Sequence, residues 1–157
     1  MRVLGVDLGE SHTGLALSDP IGLSCSPLGI IEEKNQERLI EAVAAAAAEH
    51  GAGRIVVGLP RPLSGGTNKQ VELVERFVRA LATRTEAEVV CWDERFTTKL
   101  ARSSKLAQSA KAVRGSKLVR SRRPRTEPDD AVAAWYMLQS YLDAQAHKRG
   151  GYEGSTG

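Results

Sequence analysis

Cysteine is scarce in this 157-residue chain: Cys25 and Cys91 are the only two, each in an apolar stretch. There is no CxxC pair and no histidine at a metal-ligand spacing from either thiol. These absences argue against a disulfide scaffold and a zinc site, and they fit a reducing cytosol. Long hydrophobic runs are missing too. No segment reaches the roughly 18 apolar residues of a membrane span, and the N-terminus has no signal-peptide core, so neither a span nor an export signal is expected. No internal repeat is present. The length corresponds to one domain, large enough for its own core.

The most informative absence is local. From Phe96 to Thr126 there is no Asp or Glu, whereas Lys99, Arg102, Lys105, Lys111, Arg114, Lys117, Arg120, Arg122, Arg123 and Arg125 all fall there. The chain as a whole carries +3 and is net acidic outside this block. Charge segregated in this way suggests an anionic polymer, a nucleic acid, as partner. A solvated segment is the plainer alternative. The charges recur nearly every three residues, a step that drifts by about 60° on an α-helix and so makes no single face. With Gly115 inside it, the stretch over about 108–126 reads as a flexible basic arm.

Around that block the pattern alternates strands and helices. Arg2 to Leu8 and Thr13 to Ser18 are short apolar runs joined by a tight turn, an antiparallel hairpin. Pro27 to Glu32 is a third, shorter strand. Asn35 caps a helix to His50, stopped by Gly51 and Gly53. Arg54 to Val57 and Glu88 to Trp92 read as buried strands, with a helix from Thr67 or Asn68 to about Thr83 between them. A short helix is expected from Thr97 to about Ala107. Pro128 opens a last helix, apolar on nearly every side over residues 131–138 and ending near Ala146, followed by a disordered tail over 147–157. The order predicts an α/β fold: a mixed five-stranded sheet flanked by helices, with residues 1–146 as its domain.

One carboxylate is out of place in this pattern. Asp7 stands inside an apolar strand, where a buried charge is costly unless paired. Further acids stand at element ends: Asp93 and Glu94 after the fifth strand, and Asp129 and Asp130 at the start of the last helix. Three carboxylates gathered at the carboxyl end of a sheet would bind Mg²⁺ or Mn²⁺ through oxygen. Two such ions suit phosphodiester hydrolysis. Each acid also has a simpler reading: a turn residue for Asp7, a solvated loop for Asp93 and Glu94, and helix-dipole complementarity for Asp129 and Asp130. Trp135 and Tyr136 read as core, and His12, His50 and His147 as surface residues.

Taken together, GVDLG with GLALSD, then IVVGLP, DERFTT and DDAVAAWYMLQSYLD resemble the YqgF/RuvX family, from Met1 to about Asp143. The resemblance implies an RNase H-like fold in a cytoplasmic bacterial nuclease. Its implied substrate is branched DNA, the Holliday junction, or the 5′ end of the small-subunit ribosomal RNA precursor. It implies Asp7, Glu94 and Asp130 as the catalytic acids and metal ligands, with Asp93 and Asp129 as possible additions. Gly58, Pro60, Thr97 and Thr98 match motifs near the site. A homodimer is expected on a symmetric junction. Two departures stand out: the first hairpin carries Ser11-His12-Thr13 where relatives commonly have basic residues, and the segment before the last helix is long and basic. The alternative function is a non-catalytic nucleic-acid-binding factor in ribosome assembly. Val6 to Gly9 also looks like the first phosphate loop of sugar kinases and actin, but the chain is too short for their second loop and second domain.

Overall fold

The computed structural model describes residues 1–9, 11–59, 69–93 and 128–156, with side chains described except over 128–130 and 149–156. Five strands form one sheet: β1 (Arg2–Leu8), β2 (His12–Ser18), β3 (Cys25–Glu32), β4 (Ala52–Leu59) and β5 (Glu88–Asp93). Three helices are described: α1 (Gln36–Glu49), α2 (Lys69–Ala82) and α3 (Pro128–Thr156). The strand order is β3-β2-β1-β4-β5. β1 pairs antiparallel with β2 and parallel with β4, so the sheet is mixed and β1 is its central strand.

The sheet separates two cores because side chains alternate along each strand. Leu4 and Val6 of β1, Leu15 of β2, and Ile55 and Val57 of β4 face α1 and α2, meeting Leu39, Val43, Phe77 and Leu81. Val3, Ala16 and Val56 face the other way, onto Ala134, Trp135, Met137, Leu138, Tyr141 and Leu142 of α3. Burial of each large side chain in these layers contributes about 1.5–3 kcal/mol. The α1 cap is as expected: the Asn35 side chain accepts the Arg38 N–H at 3.0 Å. Gly51, at φ +65°, takes the left-handed position that ends the helix.

Polar bonds fix the place and rotation of α3. Trp135 Nε1 donates to the Cys25 carbonyl at 2.6 Å. Gln139 accepts the Cys25 N–H at 3.1 Å and donates to the Leu23 carbonyl at 3.0 Å. An Arg54 guanidinium N–H donates to Tyr141 Oη at 2.9 Å, and Trp92 Nε1 donates to Ser140 Oγ at 3.3 Å. Burial in this packing pushes the Cys25 thiol pKa far up, with Asp143 and Asp19 adding to it, so the thiol stays protonated.

Several sequence expectations are corrected here. β4 is longer than Arg54–Val57, because parallel neighbours on both sides extend its ladder over the flanking glycines. β5 is half-buried rather than buried, because it is the sheet edge; Cys91 is exposed. β3 begins at Cys25, and a register shift between Leu15 and Ala16 accommodates Pro27 on this outer strand. α3 continues past Ala146 to Thr156, where a disordered tail was expected. Propagating an established helix is easy, and glycine raises the cost by only about 1 kcal/mol per residue. Trp135 is buried as expected, and Tyr136 is half-buried. The basic arm over about 108–126 and the short helix from Thr97 lie outside the described residues.

Candidate active site at the carboxyl edge of the sheet

β1 loses its burial towards its end. Val3 to Val6 are buried, Asp7 and Leu8 are half-buried, and Gly9 is exposed. Asp7 is therefore not the fully buried charge its apolar strand suggests. It stands at the rim, where the core gives way to solvent. Alternation puts Asp7 on the same face as Val3 and Gly5, the face that α3 covers.

Its lateral neighbours are glycines. Asp7 lies opposite Gly14 of β2. On the other side, Val6 pairs with Val57, so Gly58 of β4 is the next residue alongside Asp7. Directly opposed Cβ atoms would stand about 4.5–5.5 Å apart. Neither Gly14 nor Gly58 sets a Cβ beside Asp7. Gly58 was expected near the site. Gly14 was not, although the signal was legible: a hairpin pairing Leu8 with Thr13 sets Asp7 against residue 14.

α3 returns its first turn to this edge. A Cβ built on Gly5 would lie 2.8 Å from Leu138 Cβ, so Leu138 sits directly over Gly5. Tyr141 and Leu142 lie by Met1, Val3 and Arg54, at the opposite end of β1 and β4. The helix thus runs antiparallel to β1. From Leu138 back to Asp130 is about 12 Å of helix, and from Gly5 on to Asp7 is about 7 Å of strand. The start of α3, with Asp129 and Asp130 in its first turn, therefore lies on the side of Leu138 towards the edge that carries Asp7.

β5 ends at the same edge, with Asp93 opposite Leu59. Val90 and Trp92 pack on the α3 side, whereas Val89 packs with α1 and α2. Alternation sets Asp93 with Val89, on the face opposite Asp7. Glu94, Pro60, Thr97 and Thr98 lie outside the described residues. So do Lys99, Arg102, Lys105, Lys111, Arg114, Lys117, Arg120, Arg122 and Arg123. Among the described residues no cluster of three or more His, Cys, Asp or Glu could hold a metal ion; of the three expected ligands only Asp7 has a described side chain. What that residue offers fits a hard cation: a carboxylate oxygen at the rim of the core, between two glycines.

The chain matches, over residues 1–144, the family model described as RuvX: Holliday junction resolvase. It is 36% identical to a Pelotomaculum thermopropionicum protein provisionally named a pre-16S rRNA nuclease, over 95% of this chain and 91% of that one. A Clostridium tetani protein of the same name is 33% identical over 94% of this chain and all of its own length (100%). Among solved structures, T. thermophilus RuvC in complex with a Holliday junction substrate has a TM-score of 0.66 at 16% identity, covering 94% of this chain and 96% of that one. This last likeness shows the fold, the RNase H-like architecture of RuvC.

Proposed function

We propose a metal-dependent nuclease mechanism on the premise these matches supply: this chain belongs to the RuvX family of Holliday junction resolvases. The substrate is a structured nucleic acid, either branched DNA or the 5′ region of the pre-16S rRNA named for the relatives. The observation that carries the reading is Asp7 at the rim of β1, flanked by Gly14 and Gly58, on the face to which α3 returns its first turn.

Asp7, Glu94 and Asp130 would hold the divalent cations, Mg²⁺ or Mn²⁺. Bound there, the metal lowers the pKa of water and stabilises the leaving oxygen. Alternation along β5 turns Asp93 away from the face of Asp7, and the choice of Glu94 over Asp93 and of Asp130 over Asp129 follows the match to the family motif. Water adds to phosphorus, one ester oxygen departs with a proton, and no covalent enzyme intermediate forms. The glycines beside Asp7 leave space for the scissile phosphate. Lys99, Arg102, Lys105, Lys111, Arg114, Lys117, Arg120, Arg122 and Arg123 grip the backbone, which makes binding steeply salt-dependent. The enzyme works in the cytoplasm, and two copies act together on a symmetric junction.

The test compares a synthetic four-way DNA junction with a ribosomal RNA precursor, each with Mg²⁺ or Mn²⁺. Asp7→Asn keeps nucleic-acid binding and loses several kcal/mol of transition-state stabilisation, about 10²-fold or more in rate. Undiminished cleavage by that variant removes the mechanism.

A further inference from the structure

His12 lies in the same hairpin as Asp7. Alternation along β2 places it with Gly14 and Ala16, on the face shared with Asp7. Asp7 opposes Gly14, so His12 is its diagonal neighbour, with a typical separation of about 7–8 Å. That is too far for contact and close to the distance between successive phosphates in a nucleic-acid strand. The imidazole is 35% exposed, at the end of the sheet that carries Asp7.

Two side chains flank the ring. Ser11 Oγ is 2.9 Å from Nδ1, and Glu32, paired with His12 across the β2–β3 ladder, brings a carboxylate oxygen to 3.8 Å from Nε2. With Ser11 at Nδ1, Nε2 is the ring nitrogen that can donate to a further partner. At 3.8 Å Glu32 is beyond hydrogen-bond reach of Nε2.

We propose that His12 is a substrate-positioning residue that donates through Nε2 to a backbone phosphate next to the one held at Asp7. The proposal rests on the nuclease reading above. The partner chemistry is a phosphodiester oxygen, which either DNA or RNA supplies. His12 sets register along the strand and takes no part in bond breaking.

The experiment measures KM, kcat and the salt dependence of binding for wild type, His12→Ala, His12→Gln and His12→Lys. One arm uses a four-way DNA junction, the other an RNA hairpin with a 5′ extension. Loss of one hydrogen bond to a charged oxygen raises KM about tenfold and leaves kcat within about twofold, the pattern of lost uniform binding. His12→Lys restores KM and steepens the salt slope by about 0.9 on duplex DNA. An effect in either arm supports the contact and names the substrate. Unchanged KM in His12→Ala, or no steeper slope in His12→Lys, overturns it. If thermal melting shows that His12→Ala does not fold, His12→Gln and His12→Lys decide by the same criteria. Wild type that cuts while all three variants match it sinks this inference alone; wild type that cuts neither substrate sinks the nuclease reading with it.

Discussion

Gly5→Ala probes how closely α3 is seated on β1. The new Cβ would lie 2.8 Å from Leu138 Cβ, with the rest of the Leu138 side chain at 3.2 and 3.3 Å. Carbon atoms pack best at about 3.5–4.0 Å, so the helix must retreat by about 0.7 Å or more. Leu138 is fully buried, and α3 is tied on both sides of this point by Trp135, Gln139 and Tyr141. Overpacking of this kind costs about 1–3 kcal/mol, offset by about 0.4–1 kcal/mol from the stiffer unfolded chain. The net loss is up to about 2.6 kcal/mol, or up to about 10 °C in Tm for a domain of this size. The consequence for catalysis is larger. α3 carries Asp130, the acid proposed above as a metal ligand, and an error of about 1 Å in a catalytic geometry can cost about 10²-fold in rate. Chemical denaturation gives the stability term, and cleavage at saturating metal gives the rate term. Adding Leu138→Gly, which removes the opposing Cβ together with the rest of the side chain, should relieve the clash and give a coupling of at least about 0.5 kcal/mol. Strict additivity in the double variant would refute the close seating of the helix.

Two other substitutions test separate parts of the structure. Gly14→Val sets a branched side chain opposite Asp7; cleavage should fall at least about tenfold while circular dichroism stays native, because valine suits a strand, and full activity would show that this flank is not used. Asp19 is held below its usual pKa of 3.8, chiefly by the Leu23 N–H, with Ser24 and Gly22 also donating and a smaller opposing effect of burial. Its stabilising effect is fully present above about pH 4 and is lost as pH falls below that. Asp19→Asn should therefore narrow the difference in Tm between pH 7 and pH 3, and an unaltered difference would show that the turn bonds do not matter.

Local features of this fold were legible because short-range chemistry sets them. β1 is found at Arg2–Leu8 as read, since an apolar run before a turn has few alternatives, and the Asn35 cap needs only the three residues that follow it. Edge position was not legible. The residues EVVCW look alike in a central or an outer strand, and only pairing with β4 on one side shows that β5 is an edge. The same limit applied to Asp7. Its apolar neighbours suggested full burial, but the strand reaches the rim of the core at that residue.

The sequence by itself determined the order of elements, the acids at their ends, the segregated basic block and the family. All of these are carried by residue types and their spacing along the chain. Only the tertiary structure decided which of those groups share a face. Asp7 and Asp93 both stand near strand ends, yet alternation turns them to opposite sides of the sheet. The place of the α3 first turn relative to Asp7 depends on bonds from Trp135 and Gln139 to Cys25 and Leu23, more than a hundred residues away in the chain. Contacts at that separation are selected by the packing of whole layers, and no local stretch of sequence encodes them.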